Sequence, residues 1–114
     1  MSEAVWKAYK EGITVGQGGT ENGVIILDDE HIEGARITLE RDGYTPFAIT
    51  CGIYGWFVHT RFFGMETKAR QAFEDMKREL DRILGLIPDR GDPEAETKLP
   101  VVIDAITDFV AQFP

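Results

Sequence analysis

Four strand-like runs follow one another so closely between Val24 and Phe63 that only antiparallel pairing can join them. They cover residues 24–29 (VIILDD), 35–41 (ARITLER), 47–52 or 53, and 56–63. The connections are EHIEG, DGYTP and a segment around IYG. A parallel crossover needs a dozen or more residues, whereas loops of two to five join antiparallel neighbours. The expected core of the fold is therefore a four-stranded antiparallel meander.

The second run alternates: Ala35, Ile37 and Leu39 take one face, and Arg36, Thr38 and Glu40 the other. The first and fourth runs do not. Val24, Ile25, Ile26 and Leu27 are apolar on both faces, as are Trp56, Phe57, Val58, Phe62 and Phe63. Strands of that kind need cover on both sides.

After Gly64 the period changes. Ala69, Ala72, Phe73, Met76, Leu80, Ile83, Leu84 and Ile87 fall at three- and four-residue spacing, which predicts a long amphipathic helix over 66–84, ended by Gly85 and Pro88. Such a helix is about 28 Å long and crosses a four-stranded sheet. Its basic residues (Lys68, Arg70, Lys77, Arg78, Arg82) interleave with Glu66, Glu74, Asp75, Glu79 and Asp81, the pattern of a salt-bridged solvent face. Short helices are expected at both ends. One spans 3–10, capped by Ser2 and ended by Gly12, with Val5, Trp6 and Tyr9 on one edge. The other follows a charged linker, 88–98, with Pro100 near its first turn. Residues 12–23 hold five glycines and form a loop or a loosely paired extended segment. The whole, residues 1–114, is expected to be one α+β domain.

Charge narrows the partners. The net charge of −8 repels phosphate backbones and anionic lipid, so neither nucleic acid nor membrane is expected, and a basic protein is the better match. One cysteine makes no internal disulfide, and the N-terminus lacks the apolar run of a signal peptide. A cytoplasmic location is the expectation.

Chemistry-bearing residues concentrate in PFAITCGIYGWFVHTRFF, residues 46–63. A Cys51–His59 nucleophile pair needs sulfur and ring within hydrogen-bond reach. In one continuous strand the two would lie about 27 Å apart. A two-residue turn puts them on opposite faces. An odd loop, such as Ile53-Tyr54-Gly55, sets Cys51 opposite Phe57 and leaves His59 diagonal, roughly 7 Å away. The expected Cys51 is thus a small buried hydrophobe and His59 a partly exposed polar-face residue.

Residues 27–33, LDDEHIE, offer carboxylates and an imidazole, with Asp28, Glu30 and His31 as candidate metal ligands, but the spacing fits no EF-hand. The glycine-rich VGQGGTENG lacks the lysine of a P-loop and precedes a strand rather than a helix. No Gly-x-Ser-x-Gly or His-Glu-x-x-His motif occurs. Arg61, with Arg36 or Arg41, can bind an anion from the sheet or pair with Glu40.

Two function classes remain. The first is a non-enzymatic, homodimeric protein-interaction module without a cofactor, suggested by the surplus of two-faced apolar strands. The second is a small ligand-binding protein or enzyme, with a site on the sheet near Tyr54, His59, Arg61 and the Asp28–His31 loop.

Overall fold

The computed structural model describes residues 5–114. Five strands form one antiparallel sheet in chain order: β1 Trp6–Ala8, β2 Val24–His31, β3 Ala35–Arg41, β4 Phe47–Ile53 and β5 Phe57–Phe63. Two helices follow, α1 Glu66–Leu84 and α2 Ala95–Gln112. The α+β class and the antiparallel meander are as expected, with five strands rather than four. Among the described residues no helix is long and apolar enough to cross a membrane.

The fifth strand comes from the segment expected to be the N-terminal helix, whose first residues lie outside the described ones. Trp6, Lys7 and Ala8 pair with His31, Glu30 and Asp29. An eight-residue helix is marginal alone, whereas pairing satisfies the free edge of β2 and sets the Trp6 ring edge-on to His31 at 5.0 Å. The chain then turns sharply through Tyr9–Gly12, with Lys10 and Glu11 at positive φ.

The first expected strand fails to alternate because of a bulge. Ile25 pairs with Glu40 and Leu27 with Leu39, leaving Ile26 as the extra residue. Past it, Leu27, Asp29 and His31 share the face of Leu39, Ile37 and Ala35. That face continues through Ile49, Cys51 and Ile53 to Phe57, His59, Arg61 and Phe63.

Both helices pack on this one face. The expected stripe of α1 is buried from Ala69 to Leu84. α2 sets Val102, Ala105 and Phe109 inward, with Phe109 meeting the Phe57 ring edge-on at 5.4 Å. At 18 residues α2 is not short. It starts before the expected linker ends, because Asp92 folds back to accept the Glu94 N–H and Lys98 reaches the same carboxylate. Pro100 then sits inside the helix, where it removes one backbone donor.

One hydrogen bond and one ion pair stitch α1 to β2. His31, fully buried, binds Asp81 through Nε2 at 2.6 Å while its Nδ1 accepts the Glu33 N–H, which fixes the Nε2–H tautomer. Lys77 reaches Asp29 at 2.8 Å. Three further pairs run along α1 itself: Arg70–Glu66, Arg78–Asp75 and Arg82–Glu79.

Candidate functional site: the open face of the sheet

With both helices on one face, the segment 9–23 is what covers the other among the described residues. Three side chains of that segment touch down. Tyr9 stacks on the Arg36 guanidinium at 3.7 Å, Thr14 donates to Asp28 at 2.8 Å, and Thr20 lies 3.4 Å from the Thr50 hydroxyl. The glycines allow this close approach. A methyl group on Gly19 would collide with the Glu40 carboxylate.

Glu40 is the mooring point. It is 1% exposed. Its Oε1 accepts the N–H groups of Glu21 and Gly23 at 3.0 and 2.8 Å, and its Oε2 has no partner among the described residues. The glycine-rich segment also pairs with the start of β2, through Gly16 N–H to the Ile25 carbonyl and Ile25 N–H to that of Gln17.

Beyond this cover lies a hollow of about 740 Å³. Thr38 and Thr50 lie on its floor, in a register row that continues outside it to Thr60 toward the sheet edge. Thr50 and Thr60 approach to 3.4 Å. Gly52 leaves bare backbone beside them, and a methyl there would run into the Phe57 carbonyl oxygen. Gly18 to Thr20 form one wall, and Tyr54, Trp56 and Val58 of the β4–β5 hairpin the other.

Arg36 and Tyr54, which line the hollow, are each held by a carboxylate. Arg36 grips Asp28 with two bonds, Nε at 2.9 Å and an Nη at 2.6 Å, and this hydrogen bond holds the guanidinium above its ordinary range. The Tyr54 hydroxyl donates to Glu30 at 2.6 Å. Partial burial and that carboxylate raise the phenol above its usual pKa. A visitor meets hydroxyl, aromatic and aliphatic surface, with the Asp28-paired Arg36 guanidinium beside it.

The residues picked out from sequence divide between the two faces. Tyr54, Asp28 and Glu30 belong to the open face. His59 and Arg61 lie on the helix-covered face, against Phe109 and Phe113. His31 points into that same covered side. Asp28, Glu30 and His31 are therefore not brought together, and no cluster of three or more His, Cys, Asp or Glu forms a metal site among the described residues. Arg61 donates to the main-chain oxygen of Pro114 and lies over the Phe63 ring; burial lowers its pKa. Of the arginines, Arg36 pairs with Asp28 rather than Glu40, and Arg41 pairs with its neighbour Asp42.

Cys51 and His59 do face each other, because the loop is odd but set one residue later than expected, at Tyr54, Gly55 and Trp56. They do not act as a pair. The His59 Nε2–H donates to the Phe113 carbonyl. Burial pushes the Cys51 thiol up to about 12, against the pull of Arg61. A thiol so placed is a poor nucleophile.

The Asp28–Arg36 lock and the Glu40 mooring were not anticipated. The register held a clue to the first: a tight turn after His31 makes Arg36 the diagonal neighbour of Asp28 on the polar face. No protein-family model matches the chain, and no curated protein or solved structure is significantly similar to it.

Proposed function

We propose that this protein is a non-enzymatic, homodimeric interaction module whose working surface is the open face of the sheet. The observation that carries this reading is the hollow itself, a depression floored by hydroxyls and glycine and walled by Tyr54, Trp56 and Val58. It suits a neutral or aromatic side chain presented by a partner protein. The surrounding charge of −8 favours a basic partner by steering its approach. The single thiol is buried and protonated, which argues against covalent chemistry.

A second reading has its own support. A volume of about 740 Å³ falls within the roughly 300–1,000 Å³ of small-molecule sites. A thermal-shift series separates the two. The probes are p-cresol as a free neutral aromatic, a lysine-rich peptide carrying one tyrosine, and a glutamate-rich peptide carrying one tyrosine. Stabilisation by the basic peptide well beyond p-cresol supports the protein partner, because bound ligand raises the melting temperature by mass action. Stabilisation by p-cresol alone supports the small-ligand reading. Equal response to the acidic peptide, or to none of the three, contradicts binding of this chemistry at the open face.

A further inference from the structure

The two edges of the sheet are unlike. β1 is three residues long, turns Lys7 toward the open face and runs straight into the kink at Lys10 and Glu11. Short length and lysine are the usual guards against edge-to-edge pairing. β5 has neither. It runs for seven residues without proline, lysine or a bulge, and among the described residues no strand lies beyond it. In an antiparallel ladder every second residue directs its N–H and C=O away from its partner strand. β5 therefore presents a row of backbone donors and acceptors that no other described segment takes up.

The side chains on this edge match that opening. Val58 is 78% exposed and Phe62 52% exposed, both on the open face. Between them stands Thr60. In a chain of net charge −8, β5 contains no carboxylate, and its one arginine turns to the helix side toward Phe113 and Pro114. Two acidic copies can meet here with no carboxylate on either strand.

We infer that β5 is the dimer interface, pairing antiparallel with β5 of a second copy about a two-fold axis at Thr60; this rests on the homodimer reading above. Of the symmetric registers, this one overlaps all seven residues. It sets Val58 against Phe62 of the partner subunit, and Phe62 against Val58 of the partner subunit. Each exposed apolar side chain gains a cross-strand neighbour on the open face. The threonine row continues through Thr60 into the second sheet. Phe62 of the partner subunit then stands beside Val58 at the rim of the hollow, so each hollow borrows a wall from the other chain.

The experiment uses the full chain. Sedimentation equilibrium across micromolar concentrations is expected to give twice the 12.8 kDa chain mass. Phe62→Lys, outside the hollow lining, is expected to give the single-chain mass with the circular dichroism spectrum unchanged. Thr60→Cys is expected to form a covalent dimer under mild oxidation. Ile103→Cys on the outer face of α2 is the control and is expected to form none. A single-chain mass for the wild type overturns both the homodimer reading and this interface. A wild-type dimer that survives Phe62→Lys, or that cross-links through Ile103→Cys and not through Thr60→Cys, overturns the β5 interface and leaves the homodimer standing.

Discussion

Cys51 stands directly opposite His59 across the β4–β5 ladder, yet the imidazole turns its proton to the Phe113 carbonyl. The helix-covered face is thus closed by α2 exactly where a nucleophile pair would have formed. That side of the sheet serves packing, and the open face is the surface left uncovered by the helices.

The first prediction concerns the thiol. Burial raises the Cys51 pKa from about 9 to about 12, so the folded chain keeps a proton that the unfolded chain releases above pH 9. Protons held more tightly by the native state mean that stability falls as pH rises, here between about 9 and 12. Urea midpoints of wild type and Cys51→Ala are expected to converge as pH climbs through that window, because the variant lacks this loss. At pH 8 iodoacetamide is expected to leave native Cys51 unmodified and to label it once the chain is unfolded. Fast labelling of the native protein would contradict the burial argument.

A second prediction tests the lock beneath Tyr9. Arg36→Ala leaves the Asp28 carboxylate buried with only Thr14 as a partner. Removing one member of a buried pair costs about 3 kcal/mol. The double variant Arg36→Met with Asp28→Leu removes both charges and is expected to recover most of that loss in chemical denaturation. A loss under about 0.5 kcal/mol in Arg36→Ala would place the pair with ordinary surface ion pairs.

The third prediction addresses the mooring of the glycine-rich segment. Glu40→Ala strips the Glu21 and Gly23 amides of their acceptor, and each unsatisfied buried group costs about 1–3 kcal/mol. Hydrogen exchange at Gly23 is expected to speed up by at least tenfold, with β4 unaffected. Gly19→Ala, by pushing against the carboxylate, is expected to loosen the same amides. Unchanged exchange in both variants would mean that Glu40 does not hold the segment.

Much of this fold was legible in the residues. Glu66–Leu84 was bounded correctly because its stripe is long and Gly85 follows it. β3 was bounded correctly because it alternates without interruption. Trp6–Ala8 was misread because three apolar and aromatic positions, Val5, Trp6 and Tyr9, cannot distinguish a short helix edge from an edge strand, and the partner that decides, β2, lies far along the chain. The hollow was invisible for a related reason. It exists because α2 joins α1 on one face instead of roofing the other, and helix periodicity says which side of α2 is apolar but not which surface it meets. His59 was assigned to the polar face because a two-residue turn would separate it from Cys51 and because Thr60 and Arg61 follow it; the loop has three residues, Tyr54 to Trp56, and that odd length returns His59 to the face of Cys51.

The claim on which the account turns is that ligands meet the sheet on the side away from the helices. Amide chemical-shift mapping with the lysine-rich tyrosine peptide tests it most directly. The account predicts perturbations clustered at Thr38, Thr50, Gly52, Tyr54 and Val58, lost in Thr50→Trp, which fills the hollow. Perturbations centred instead on the outer face of α2, at Leu99, Ile103 and Val110, or an undiminished response in Thr50→Trp, would contradict it.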